Sequence, residues 1–215
     1  MKNKGIVALG LGVVVLIFIG MSFMFQSNQS TNVETYTSFD KEPFVRDHST
    51  SFGENKKNVI VVEFLDPQCE ACAAFHHAVK DVYKEYYEDI KLVIRYLPNQ
   101  KNSLFTVKLL EAAKQQNKYH EVLETIFTTR DKWSIYKNEK PYLLWDFIKE
   151  IEGLDMKKFK TDFNNLNLRK QLVLDREDAN TLKVRGTPSF FVNGEELKEF
   201  SPKGLMDLVE SKIYK

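Results

Sequence analysis

Val59-Ile60-Val61-Val62-Glu63-Phe64-Leu65-Asp66-Pro67-Gln68-Cys69-Glu70-Ala71-Cys72-Ala73-Ala74-Phe75-His76-His77 decides the fold. The β-branched run Val59 to Val62 reads as a buried strand, because a strand covered on both faces is continuously apolar rather than alternating. Pro67 lacks an N–H and has a fixed φ, so Asp66-Pro67-Gln68 ends that strand, with Asp66 as turn former or cap. Beyond Cys69-Glu70-Ala71-Cys72, apolar residues at 75, 79, 82, 83 and 86 mark an amphipathic helix. Cys69 therefore falls at a helix N-terminus and Cys72 in its first turn. Unpaired N–H groups and the macrodipole at that end stabilise an anion, which here is a thiolate.

Downstream, residues 89–98 alternate and are β-branched, which predicts a second strand ended by Pro98. From Ser103 to Lys183 the periodicity is helical. One stripe is Tyr119, Val122, Leu123, Ile126 and Phe127; another is Leu143, Leu144, Phe147, Ile148 and Ile151. Trp133 and Trp145 belong to this apolar set and read as core. Asp155 is placed to N-cap a short helix burying Met156, Phe159 and Phe163, and Leu168, Leu172, Ala179 and Leu182 extend the pattern. Phe190 to Val192, then Asn193-Gly194, then Glu195 to Phe200 predicts a hairpin, since Asn-Gly accepts the positive φ of a type I′ turn. Ser201-Pro202 opens a last helix as N-cap and N1.

Three separated features carry a family resemblance: the CxxC, Glu63 six residues before it, and Gly186-Thr187-Pro188 ahead of Ser189-Phe190-Phe191-Val192. Together, over residues 50–215, they resemble a DsbA-like thiol–disulfide oxidoreductase of the thioredoxin fold. The resemblance implies an α/β thioredoxin-like core over 58–215 with an all-helical insertion at about 103–183. The 119 positions from Cys69 to Pro188 leave room for it. It implies that Pro188 follows a cis bond facing the cysteines and shields them from adventitious metal. It also implies that the Thr187 backbone pairs with an extended substrate chain beside Glu70 and Ala71, and that Glu63 is the buried proton relay to Cys72.

Read on its own, Glu63 is either an exposed carboxylate or a buried one with a raised pKa. Two cysteines this close make a poor staple, because a short closed loop removes little unfolded-state entropy. Redox exchange suits them better, with Cys69 attacking and Cys72 resolving, and it needs no cofactor. The strongest oxidants of the family carry a histidine before the second cysteine. Here that position is Ala71, and Glu70 opposes ionisation, which predicts a Cys69 pKa of about 5–7. His76 shares a helix face with both cysteines, so a copper or zinc site from Cys69, Cys72 and His76 is the rival, against a histidine merely packed or solvated. A non-catalytic binding module is a further alternative. His48 and His120 carry no signal.

The formal charge is +1, from 31 basic and 30 acidic residues; without Lys2 and Lys4 it is 29 against 30, no footprint for nucleic acid. Residues 5–25 are 21 uncharged residues, about 31 Å as a helix, which matches a bilayer core of about 30 Å. Lys2 and Lys4 then set the N-terminus in the cytoplasm and the remainder outside, in a periplasmic or other extracytoplasmic space. No A-x-A-like site follows, so segment 1–25 reads as an uncleaved anchor rather than a signal peptide. Residues 26–57 read as a polar tether and leader arm. The expected partners are exported cysteine-containing proteins, a membrane redox partner that recycles the pair, and the membrane itself. Expressed full length, the chain should keep its whole mass in the membrane fraction through alkaline extraction; a shortened, soluble main species would refute the anchor.

Overall fold

A computed structural model describes residues 38–215, so the expected anchor and residues 26–37 of the tether lie outside the described residues. Among these residues no helix is long and apolar enough to cross a membrane. The element order is β1 (Thr50–Phe52), β2 (Val59–Leu65), α1 (Glu70–Tyr86), β3 (Ile90–Tyr96), α2 (Ser103–Lys114), α3 (Tyr119–Thr128) and α4 (Arg130–Trp133). A 3-10 turn at Pro141–Leu143 leads into α5 (Leu144–Ile148), α6 (Met156–Asn165), α7 (Arg169–Thr181), β4 (Ser189–Val192), β5 (Glu195–Glu196) and α8 (Pro202–Ile213). The five strands form one sheet in the order β1-β3-β2-β4-β5. β2 and β3 are parallel; the other pairs are antiparallel.

All seven residues of β2 are buried, Glu63 among its six apolar neighbours, as a central strand covered on both faces requires. Alternation along the strands then divides the core. Val61 and Leu65 from β2, with Leu92, Ile94 and Tyr96 from β3, join Cys72, Phe75, Val79 and Val82 of α1 and Leu205 and Val209 of α8 in one apolar cluster. Side chains of the helical region, including Val107, Leu110, Ile126 and Trp133, extend the same cluster. Trp145 makes edge contacts with Phe105, Phe159 and Phe163, so both tryptophans are packing residues.

The opposite face carries a buried charge. Arg95, fully buried, donates to Asp175 Oδ1 (2.8 Å), Asp178 Oδ2 (2.5 Å) and the carbonyls of Pro43 and Phe44 (2.9 Å each). Arg46 adds two hydrogen bonds to Asp178, and the His48 ring lies 2.9 Å from Asp175. The leader arm and α7 are thus both tied to β3. Phe44 packs edge-on against Phe191, which meets Phe64 in the same way. His48, expected to carry no signal, belongs to this cluster. His120 lies 4.2 Å from the Phe52 ring and stacks on Tyr83, where burial pulls its pKa down.

The structure differs from the sequence expectation in three places. The leader arm contributes an edge strand, β1. The stripe from Leu143 to Ile151 is no single helix but a 3-10 turn followed by five helical residues, opened by Pro141 at its first position. The expected strand to Phe200 stops at Glu196, because Phe200 turns onto the rings of Phe75 (4.5 Å) and Phe190 (6.4 Å) and the chain leaves the sheet. The predicted turn and caps are present: Asn193 and Gly194 both have positive φ. Asp155 accepts from the amides of Lys157 and Lys158, and Ser201 from that of Gly204.

Arg95→Met should cost about 3–5 kcal/mol in urea denaturation, because it leaves two buried carboxylates short of their partner. Arg46→Met, which removes a more exposed cation from Asp178 and from exposed Glu42, should cost clearly less. Equal losses would contradict the central place of Arg95.

Candidate active site

β2 delivers the chain to a turn that is locked from several sides. Asp66, fully buried, accepts from the amides of Gln68 and Asn99 (2.9 Å each) and from Ser103 Oγ (2.8 Å). Gln68, also buried, accepts from the Asn102 amide (2.8 Å) through its side chain, which in turn donates to Ser134 Oγ (3.4 Å). Its carbonyl accepts from Arg130 Nε (3.3 Å). The sequence reading gives Gln68 only a place in the turn and Arg130 no role. The only hint was an amide and a cation in otherwise unremarkable polar positions.

Cys69 is the N-cap of α1, extended in backbone, and no side chain caps the helix, so the first amides remain free to face its sulfur. Cys69 is half-buried, Cys72 fully buried, and the two are unbridged. The Cys69 thiol lies 3.3 Å from the carbonyl oxygen of Thr187, and the Thr187–Pro188 bond is cis. Pro188 is buried and Thr187 partly so, while Glu70 and Ala71 are exposed at the start of the helix. Ser189 Oγ ties back to the Gly186 carbonyl at 2.8 Å, and β4 pairs with β2 so that Phe190 stands opposite Glu63.

The two thiols are electrostatically opposite. A hydrogen bond from the Cys72 thiol is the largest influence on Cys69 and favours its thiolate; burial opposes this, and the Cys72 and Ala71 amides assist it. The Cys69 pKa comes down to about 5, at the low end of the sequence expectation. Cys72 is pushed far above the ordinary thiol range, first by burial, then by its bond to Cys69 and by the Glu63 charge. Glu63, 5% exposed in a strand of apolar neighbours, is pushed up to about 8 by burial. A carboxyl with that pKa near a thiol that ionises poorly can exchange a proton with it near neutral pH.

His76 turns away from the cysteines. Its Nε2 lies 3.2 Å from Glu124 Oε2 and its ring 5.0 Å from that of Phe127, while His77 is exposed. Among the described residues no three of His, Cys, Asp and Glu come together as a metal-holding group, so Cys69, Cys72 and His76 are not assembled as one. The geometric reason is the Glu124–Phe127 pocket on α3, which claims the imidazole.

A central parallel strand running into a reactive cysteine at a helix start, with a second buried thiol and a proline loop across from it, defines a thioredoxin-fold dithiol protein. The chain belongs to the thioredoxin family, whose sequence model, described as Thioredoxin, matches residues 46–211. A Rickettsia felis protein provisionally named a protein-disulfide oxidoreductase is 31% identical over 173 residues, covering 79% of this chain and 62% of that one. The chain thus spans less than two-thirds of that relative's length. A Bacillus cereus protein provisionally named disulfide bond formation protein D is 29% identical, covering 90% of this chain and 91% of its own. Among solved structures, Wolbachia pipientis alpha-DsbA1 superposes with a TM-score of 0.67 at 20% identity, over 79% of this chain and 92% of that one.

Glu63 should impose a pH dependence on stability. Its folded pKa lies above the unfolded value, so the native state binds more protons between about pH 4.5 and 8, and stability falls as pH rises through that window. Glu63→Gln should remove this dependence, leaving the variant more stable than wild type at pH 8 by roughly 3–5 kcal/mol and much closer to it at pH 4.5. Parallel stability curves for the two proteins would show that Glu63 is solvated.

Proposed function

We propose that this protein is a DsbA-like thiol–disulfide oxidoreductase that exchanges its Cys69–Cys72 pair with cysteine-containing exported proteins, acting chiefly as a disulfide donor. The observation that carries this is the contrast between the two sulfurs: Cys69 is accessible and ionises near pH 5, whereas Cys72 is buried and resists ionisation. In the donor direction a substrate thiolate attacks Cys69 Sγ of the disulfide. The Cys69–Cys72 bond breaks, and Cys72 leaves as a thiol with the proton supplied by Glu63. A second substrate thiolate then attacks the substrate sulfur of the mixed disulfide and expels the Cys69 thiolate. Two electrons pass from substrate to protein, and the substrate gains its disulfide. The Thr187 carbonyl, 3.3 Å from Cys69, supports a reading in which this loop pairs with the incoming chain.

Direction follows from which redox form is stabilised. A thiolate stable at neutral pH favours the dithiol form and so makes the disulfide oxidising. A pKa of about 5 lies between about 3.5 for the strongest oxidant and about 7 for thioredoxin. Because the Cys69 pKa is depressed, this bias is present at neutral pH and is lost as pH falls through about 5. Residues 5–25 support an anchored, extracytoplasmic protein, and a membrane redox partner would reoxidise the pair.

In a dithiol-oxidation assay with a reduced, unfolded substrate, Cys69→Ser should abolish turnover. Cys72→Ser should instead accumulate a mixed disulfide through Cys69, seen as an added substrate mass removed by dithiothreitol. Turnover surviving in Cys69→Ser would dismiss the proposal.

A further inference from the structure

The helical region reaches over the cysteine turn with a single cation. Arg130 opens α4, whose position is set by Trp133: the indole is fully buried and its Nε1 donates to the Ile126 carbonyl at 2.9 Å. From there the guanidinium does two things. Its Nε donates to the Gln68 carbonyl, one residue before Cys69, at 3.3 Å, and its Nη1 lies 3.8 Å from Glu70 Oε2. Only 22% of the Arg130 side chain is exposed, against 84% for Glu70, so the cation is the enclosed member of the pair and the carboxylate the solvent-facing one.

This arrangement addresses a conflict in the sequence. Glu70 sits between the cysteines on the first turn of α1, where an acid suits the helix dipole but repels a thiolate next to it. The other groups facing Cys69 are the Cys72 thiol, the Thr187 carbonyl and the first amides of α1. Glu63 stands behind Cys72, and Asp66 is occupied by three donors. His76, the next basic side chain along α1, is turned towards Glu124, where Lys80 also binds. Exposed Arg185 precedes the Thr187 loop without a bond to the turn. Among the described residues, Arg130 is the cation bonded to the turn itself.

We infer that Arg130 is a positioning residue for the dithiol site: it fixes the Gln68 carbonyl and draws the Glu70 carboxylate towards the helical region, so that the acid between the cysteines does not oppose the Cys69 thiolate. The inference rests on the exchange function proposed above for its purpose, but not for its test. It also identifies what the helical region contributes to the chemistry, namely a charge supplied from outside the thioredoxin core.

The test is a double-mutant cycle on the full-length reduced protein, reading the Cys69 thiolate by absorbance at 240 nm and by iodoacetamide rate against pH. Arg130→Met should raise the titration midpoint by about half a unit, roughly a threefold loss of thiolate below the midpoint, the scale of a partly exposed ion pair. Glu70→Gln alone should move it by less than half as much, because Arg130 already neutralises that charge. In the Arg130→Met background, however, Glu70→Gln should restore most of the lost thiolate. Arg130→Lys should keep more of the effect than Arg130→Met. A purely structural arginine would lower the melting temperature and leave the midpoint alone. An additive cycle, or Glu70→Gln shifting the midpoint equally in both backgrounds, would overturn the inference. Glu70 is exposed, so its variant remains informative even if Arg130→Met folds poorly. Absence of dithiol turnover in wild type would remove the exchange function, while the cycle, which uses no substrate, would still decide the role of Arg130.

Discussion

The covering of β2 on both faces is the constraint from which the rest follows. A strand with no wet side is built almost wholly from apolar residues, and here it hands the chain to a turn as it leaves the sheet. That turn is where Cys69 sits, so the reactive sulfur lies at the boundary between the driest part of the molecule and the solvent. The same covering makes Glu63 costly: its carboxyl cannot be hydrated, so it keeps its proton into the neutral range. The partly exposed position of the Cys69 sulfur and the raised pKa of Glu63 are two outcomes of one burial pattern.

The separation of the two thiols depends on a few ångströms of depth. Cys69, at the helix end, receives hydrogen bonds that stabilise negative charge; Cys72, one turn further in, meets apolar side chains and the Glu63 carboxyl. The helix start supplies one environment and the core the other, and the turn that joins them is held rigid by Asp66 and Gln68. A rigid turn matters because thiol–disulfide exchange requires the sulfurs to remain in reach of each other while one of them is bonded elsewhere.

How much of this was legible in the sequence depended on whether a residue's partners are local. The strand, the Pro67 turn, the helix start, the Asn193-Gly194 turn and the caps Asp155 and Ser201 are short-range matters of propensity and backbone chemistry, and they stand where the residues predicted them. The family resemblance supplied the frame for Glu63 and for the Thr187–Pro188 loop. What stayed hidden were polar residues whose partners are remote in the chain. Asp175 falls on the very stripe of α7 that carries Leu168, Leu172, Ala179 and Leu182, yet an acid on an apolar stripe reads as a gap until Arg95 is seen opposite it. Arg130 and Gln68 are 62 residues apart, and no local pattern joins them. The 3-10 turn at Pro141 was missed because apolar spacing alone does not distinguish one helix from two short pieces.

The Arg95 cluster has a consequence for the order in which the molecule becomes dry. Its guanidinium needs carbonyls about 50 residues before it and carboxylates about 80 residues after it. Until both have arrived, this part of β3 holds an unpaired cation that must keep its water, so that face of the sheet cannot close early. On the other face the sheet meets α1 chiefly through apolar side chains, with no comparable buried cation among the described residues. Sealing the Arg95 side of the sheet therefore depends on residues from both sides of Arg95 in the chain, the leader arm before it and α7 after it.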